Sequence, residues 1–228
     1  MIGYDILIPA YNAELTLPML IDQIRQLSLQ PQNIFLVDDC SNDFTAKIAE
    51  KFKCLVTINL RNTGKGYTLR KGYELFLRES KAPYLVCVDA DLQHPVDKIP
   101  DFLKLIQMEN VDIVIGNRDK SLKNMPLSRV ISNRITSFII SIMTGKKILD
   151  SQCGFRAIKR EVLENIKLKE NGFQMESEFI FRANDLNYKI QFVNIPTIYG
   201  GQTSYIHHFK DTVKFIKLII RELLGKNV

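Results

Sequence analysis

The chain has 228 residues, of which 46% are hydrophobic and 25% are charged. These proportions are typical of a globular protein, and they exclude a disordered chain, a fibrous repeat and a disulfide scaffold. A chain of this length buries enough apolar surface to fold without a metal or a disulfide. Because its length is only somewhat above the usual domain size, one large domain over residues 1–228 is expected rather than two small ones. The net charge of +6 favours an anionic partner, such as nucleic acid, a phosphorylated ligand or an anionic membrane, without choosing among them.

Targeting and spanning segments are not evident. The N-terminus lacks the basic start and long apolar run of a secretory signal. No run reaches the roughly 18 apolar residues that a membrane-spanning helix needs. The four cysteines form no CxxC pair, so we expect free thiols in a reducing compartment and a cytoplasmic location.

Short β-rich runs alternate with helical patterns in the first half of the chain. The apolar spacing predicts strands at 5–9, 34–37, 54–59, 84–88 and 111–116, and helices at 15–27, 46–52, 66–79 and 96–108. Continuous apolar strands that alternate with helices are typical of parallel βαβ units covered on both faces. We therefore expect a doubly wound α/β sheet over residues 1–118, with ligands bound outside the carboxyl ends of its strands.

The second half of the chain is less regular. The pattern predicts helices at 127–143, 176–184 and 209–224, and strands at 154–158 and 190–195. Since no repeat, low-complexity tract or linker separates the two halves, they are expected to share a mixed, mostly parallel sheet flanked by helices.

Polar side chains collect where four of the predicted strands end. They include Tyr11 and Glu14, Asp38 and Asp39, Asp89 through His94, and Asn117 with Arg118. Asp89 and Asp91 project from the same face of an extended segment, where two carboxylates repel one another unless a cation lies between them. Mg²⁺ and Mn²⁺ favour carboxylate and amide oxygens, so Gln93 is a third candidate ligand.

Several motifs resemble those of family 2 glycosyltransferases of the GT-A fold, which is Rossmann-like. They are IPAYN at 8–12, VDDCSND at 37–43, NTGKGYTLRKG at 62–72 and VDADLQHP at 88–95. GNR at 116–118 and DSQCGFRAIKREV at 150–162 are similar to the branch that contains dolichol-phosphate mannose synthases and bacterial polyprenyl-phosphate glycosyltransferases. The resemblance covers nearly the whole chain and is specific for the family, but not for the sugar or the acceptor.

The resemblance implies a UDP- or GDP-hexose donor and a divalent cofactor, Mg²⁺ or Mn²⁺. Residues 1–118 would bind the nucleotide sugar, through Pro9, Tyr11, Glu14, Asp38, Asp39, Lys65, Asp89 and Ala90. The metal would be held by Asp89, Asp91 and Gln93. A solvated loop lysine is the plainer interpretation of Lys65.

Residues 119–207 would form the acceptor-binding half. The resemblance implies catalytic roles for Asp91, Arg118 and Asp150, and contacts to an acceptor phosphate from Arg118, Arg129 and Asn133. A surface arginine is the plainer alternative for Arg129. A hydroxyl acceptor needs a general base, the role expected of an acid near Asp150, whereas a phosphate acceptor is already ionised.

The loop after the last strand departs from the family pattern. Gly201 to Ser204 is followed by Tyr205, where the family often carries a basic residue that clamps the diphosphate. His207 and His208 are candidates to replace it. The helix over residues 208–228 carries an apolar stripe interleaved with lysines, and it either packs on the protein or lies on anionic lipid.

Three functional hypotheses follow. The first is inverting, metal-dependent transfer of a sugar to a polyprenyl phosphate, by a protein at the cytoplasmic membrane surface. The second keeps the enzyme class but places the sugar on a hydroxyl of a glycan. The third is a non-catalytic module that binds nucleotide sugars or nucleic acid, although the signatures of RNA-binding motifs are absent and no nucleic-acid partner is expected.

Overall fold

A seven-stranded sheet forms the centre of the computed structural model, which describes residues 3–119, 127–198 and 208–225. The strands are β1 (Tyr4–Ala10), β2 (Ile34–Asp38), β3 (Leu55–Ile58), β4 (Tyr84–Cys87), β5 (Ile113–Arg118), β6 (Arg156–Lys159) and β7 (Ile190–Ile195). Their order across the sheet is β3-β2-β1-β4-β6-β5-β7. All neighbours are parallel except β6, which is antiparallel to both β4 and β5. The predicted mixed, mostly parallel α/β sheet is therefore confirmed.

Helices cover the sheet. They are α1 (Leu17–Arg25), α2 (Thr45–Lys51), α3 (Lys65–Glu79), α4 (Ile99–Ile106), α5 (Leu127–Thr144), α6 (Arg160–Asn165), α7 (Met175–Asp185) and α8 (His208–Gly225). A short 3₁₀ turn at Val96–Lys98 precedes α4, within the span predicted as one helix. The sequence pattern missed α6, because six residues are too few to show a helical period.

The hydrophobic core lies on both faces of the sheet. Every residue of β1 is buried, as the continuous apolar run predicted. Helix α3 packs so closely on β1 that a Cβ on Gly72 would lie 2.4 Å from a side-chain carbon of Leu7. This contact fixes the helix axis and directs its N-terminus toward the carboxyl ends of β1 and β4.

The reversed direction of β6 brings one further segment to the same edge. The parallel strands β1, β2, β4 and β5 end there, whereas β6 begins there. Residues 150–155, which lead into β6, therefore lie beside the residues that follow β4 and β5. Strands from both halves of the chain belong to one sheet, and a single domain over residues 1–228 remains our prediction.

Three of the four cysteines, Cys54, Cys87 and Cys153, are buried as free thiols. In the described part of the chain, no helix combines the length and the apolar character that crossing a bilayer requires.

Candidate active site

Asp89 stands two residues after the end of β4, at the centre of the carboxyl edge. Its backbone N–H donates to Nδ1 of His94 over 3.0 Å, and Nε2 of the same ring lies 3.6 Å from its Oδ2. The His94 ring stacks on buried Phe155, with ring centroids 5.2 Å apart. Burial lowers the pKa of His94 despite the neighbouring carboxylates, so the ring is neutral and holds the turn after β4 through its Nδ1 acceptor.

Lys65 joins Asp89 to an acid from another element. Its Nζ lies 2.8 Å from Oδ2 of Asp89 and 2.9 Å from Oε1 of Glu176, which is in the first turn of α7. Only the contact to Asp89 is also a well-aligned hydrogen bond. Gly64, at φ +96°, makes the turn that starts α3 and directs Lys65 into the site.

The neighbouring charges shift the pKa values of Lys65 and Asp89. Burial alone would lower the pKa of Lys65, but the carboxylates of Asp89 and Glu176 raise it well above its ordinary value. Burial would likewise raise the pKa of Asp89, and the Lys65 ammonium outweighs that effect and lowers it. Lys65 is therefore a cation and Asp89 an anion at neutral pH.

Asp91 and Gln93 follow in the same turn, and both are partly exposed. The Gln93 N–H donates to Oδ1 of Asp91 over 3.0 Å. Among the described residues, no three His, Cys, Asp or Glu side chains converge closely enough to hold a metal ion by themselves. Two carboxylates and an amide nevertheless suit Mg²⁺ or Mn²⁺, which are commonly bound by one or two carboxylates together with water and substrate phosphates.

Asp39 holds the loop that leads to Lys65. One of its oxygens accepts hydrogen bonds from the Asn59 amide and from the N–H and hydroxyl of Thr63, at 2.8 to 2.9 Å. Its other oxygen accepts from the Gly64 N–H at 2.7 Å. The carboxylate thus shapes the loop before α3, a role that the sequence did not indicate.

The remaining predicted donor-site residues line the ends of β1 and β2. Pro9 is the buried next-to-last residue of β1, and Asp38 is the buried last residue of β2. Ala90, after β4, is buried between the two aspartates. Asp38 accepts from the N–H and hydroxyl of Ser41. Tyr11 is partly exposed, and Glu14 accepts the Phe44 N–H at 3.0 Å.

Asp150 and Arg118 form a second charged centre, at the ends of β5 and of the segment before β6. Nε and Nη2 of Arg118 donate to the two oxygens of Asp150 at 2.8 and 2.9 Å. Nδ2 of Asn133, on α5, donates to the same carboxylate at 2.6 Å, and the N–H groups of Arg118 and Gln152 also donate to it. Asp150 is completely buried, and its carboxylate raises the pKa of Arg118, whereas burial alone would lower it.

The structure places the other acceptor-site candidates as follows. Arg129 is partly exposed in the first turn of α5. Residues 201–207, which include Tyr205 and His207, lie outside the described residues, and only the backbone of His208 is described. Glu178, two residues after Glu176 on α7, accepts the backbone N–H groups of Lys169 and Glu170.

Comparison with known proteins assigns the class. Residues 5–167 match the model of glycosyl transferase family 2, so the chain belongs to that family and is a glycosyltransferase. Solved structures of glucosyl-3-phosphoglycerate synthase from Mycobacterium tuberculosis share its GT-A fold. The complex with Mn²⁺ and UDP-glucose has a TM-score of 0.73 at 18% identity, over 98% of this chain and 78% of that one.

Two curated relatives indicate which branch of the family the chain resembles. One is a UDP-N-acetylglucosamine–dolichyl-phosphate N-acetylglucosaminyltransferase from Methanococcus voltae, 31% identical over 85% of each chain. The other is an undecaprenyl-phosphate 4-deoxy-4-formamido-L-arabinose transferase from Serratia proteamaculans, 31% identical over 70% of this chain and 50% of its own length. The chain is thus similar to polyprenyl-phosphate glycosyltransferases, as its motifs indicated.

Proposed function

We propose that this glycosyltransferase moves a sugar from a nucleotide-sugar donor to the phosphate of a polyprenyl carrier. The nucleotide and the sugar lie across the ends of β1, β2 and β4, beside Tyr11, Asp38 and Asp89. The acceptor phosphate attacks the anomeric carbon from the side opposite the diphosphate, so one displacement inverts that centre. The two relatives that act on dolichyl or undecaprenyl phosphate support this acceptor class.

The burial and the hydrogen bonding of Asp150 are the observation that carries the proposal. A hydroxyl acceptor must lose a proton to a general base, and that base needs a lone pair that faces the acceptor. Asp150 is completely buried and accepts at least five hydrogen bonds, two of them from the Arg118 guanidinium. Such a carboxylate is poorly placed to take a proton from an acceptor, whereas a phosphate needs no base. Asp150 instead holds Arg118 and Asn133 in place.

A divalent cation fits the donor end of this site. Asp89, Asp91 and Gln93 would hold Mg²⁺ or Mn²⁺, and the ion would stabilise the negative charge that develops on the departing diphosphate. Structural neighbours with the same fold were solved with Mn²⁺ or Mg²⁺ and uridine nucleotides, which supports this cofactor class. The cations of Lys65 and Arg118 add positive charge on either side.

Two helices support docking at a membrane surface, where a lipid acceptor is found. Exposed apolar side chains recur at helical spacing along α5, at Leu127, Ile131, Ile135, Phe138 and Ile142. A second stripe runs along α8, at Val213, Ile216, Ile220, Leu223 and Leu224, with Lys214, Lys217 and Arg221 exposed beside it. Apolar stripes flanked by cations are typical of helices that lie on anionic lipid.

The test compares two acceptors that share one tail. The full chain is incubated with Mn²⁺ and a panel of UDP- and GDP-sugars, with either a polyprenyl phosphate or the matching polyprenol. We expect glycolipid and nucleoside diphosphate only with the phosphate, and loss of both products with EDTA. Transfer to the polyprenol as readily as to the phosphate, or no transfer with any donor, would count against the proposal.

A further inference from the structure

Backbone packing builds the contact between Lys65 and Glu176. The start of α3 lies against residues 171–175, where a Cβ on Gly66 would come within 2.5 Å of the Gly172 carbonyl oxygen and 2.8 Å of Met175 Cβ. The Tyr67 N–H also donates to the Asn171 carbonyl over 3.0 Å. This close approach sets the first turn of α7 beside Lys65, so the ion pair does not depend on a flexible surface side chain.

The same packing encloses the pair. Glu176 is 5% exposed, and the Lys65 side chain is 19% exposed. Gly154 closes the other side, since a Cβ there would lie 2.8 Å from Lys65 Nζ and 2.7 Å from Asp89 Oδ2. At such burial an unpaired charge is costly, so each group depends on its partners.

Lys65 occupies one oxygen of a carboxylate that the proposed function assigns to the metal. Within the described residues no hydrogen-bond donor lies on Oδ1 of Asp89, whereas Oδ2 contacts Lys65. Arg118 is neutralised by its ion pair with Asp150. The carboxylates of Asp89, Asp91 and Glu176 then exceed the Lys65 ammonium by two negative charges, which matches the charge of a divalent cation. A cation that binds Asp89 meets repulsion from Lys65 and attraction from Glu176.

We propose that Lys65 and Glu176 are a charge-balancing pair that sets how tightly Asp89 binds the divalent cation. Lys65 weakens the binding, and Glu176 strengthens it because its carboxylate shares the ammonium with Asp89 and attracts the cation. The pair would keep the affinity low enough for the metal and the nucleoside diphosphate to leave after transfer. Both are positioning residues that act through Asp89, and the inference rests on the proposed function.

Single variants test the two opposite effects on metal affinity. Mn²⁺ alone is titrated into the full chain, and free Mn²⁺ is measured by electron paramagnetic resonance. Glu176→Gln should weaken Mn²⁺ binding about ten-fold, a common cost for residues that support a metal ligand. Lys65→Met should strengthen it by a similar factor, because the competing cation is gone. A structural disturbance would instead weaken binding in both variants.

A double variant separates charge balance from direct ligation. Lys65→Met with Glu176→Gln restores the net charge, so its Mn²⁺ affinity should return to within about three-fold of the wild type. A double variant as weak as Glu176→Gln would make Glu176 a direct ligand and overturn the inference. Glu178→Gln is the matched control on the same helix, and it should lower the melting temperature without changing Mn²⁺ affinity.

Failure of the inference and failure of the proposed function look different. A wild-type chain that binds no Mn²⁺ and transfers no sugar would end both. Normal Mn²⁺ binding by the wild type, with an unchanged affinity in Glu176→Gln or an effect of equal size in Glu178→Gln, would overturn the charge-balancing pair alone.

Discussion

Gly154 shows how closely single residues confine Asp89. Its backbone is in a conformation that alanine also adopts, so the constraint is the space taken by the neighbouring side chains. The glycine lies in the segment that reverses into β6, and it touches both charges of the Lys65–Asp89 contact. The motif that contains it is therefore required for packing as well as for any contact to a substrate.

We predict that Gly154→Ala lowers sugar transfer at least about ten-fold while the fold persists, because the added methyl group displaces Asp89 from its position. Transfer assays and circular dichroism would measure the two effects. Gly225→Ala is the matched control, since a Cβ at that position meets no atom within 4 Å. Equal activity of the two variants would show that Asp89 tolerates displacement.

At this scale the sequence indicated candidate groups but not their partners. Asp89, Asp91 and Gln93 were singled out as candidate metal ligands by their spacing after an apolar strand. The contact of Lys65 with Glu176 was not, because it joins residues 111 positions apart through helix packing that no local pattern encodes. Asp39 was expected to bind a nucleotide, and its hydrogen bonds to the 59–64 loop could be seen only in the fold.

Among the elements, β6 matters most for the site. It inserts between β4 and β5 in the opposite direction, so the strand that leads to Asp89 and the strand that ends at Arg118 are separated by a third strand. Adjacent strands are about 4.8 Å apart, which leaves roughly 10 Å between the lines of β4 and β5. The segment that leads into β6 fills this interval with Asp150 and Gly154.

We predict that Asp150→Asn destabilises the protein by about 3 kcal/mol, because it leaves the Arg118 guanidinium without its buried counter-ion. Urea unfolding would measure the change. Asp101→Asn, which breaks an exposed pair with Lys98, should cost less than about 1 kcal/mol. A stable Asp150→Asn variant would show that the ion pair contributes little to the fold.

This prediction changes how kinetic data on Asp150 are interpreted. The family resemblance implies a general base near Asp150 for a hydroxyl acceptor, and a large loss of activity in Asp150→Asn would be the usual sign of such a base. In the structure the same loss would follow from misplaced Arg118 and Asn133, so it does not identify a base. The sequence alone does not reveal this arrangement, because the pattern of a four-residue strand does not indicate which strands it pairs with.

At the scale of the molecule, the apolar stripes of α5 and α8 carry about half of the exposed large apolar side chains among the described residues. The sequence predicted both helices closely, and it left open whether the stripe on α8 is packed or exposed. The structure leaves Ile216, Ile220 and Leu224 at least half exposed, while Leu218 is buried. Exposed apolar rows of this kind usually mark an interaction surface.

We predict that Phe138→Asp weakens binding to vesicles of anionic lipid about ten-fold, because Phe138 is 65% exposed on the α5 stripe and would lose its apolar burial in the bilayer. Vesicle sedimentation would measure it. Met108→Asp, a similar change at an exposed apolar residue off both stripes, serves as the control. Equal vesicle binding by Phe138→Asp and the wild type would exclude α5 from the docking surface.

The one-sided arrangement of the sheet has a practical consequence for studying this enzyme. The candidate donor, cation and acceptor groups gather where β1, β2, β4 and β5 end, and the turn between α1 and β2 lies at the opposite edge, with Gln30 exposed on it. A fluorophore or an immobilisation handle attached at residue 30 would report on the protein without crowding the proposed substrate and cation sites.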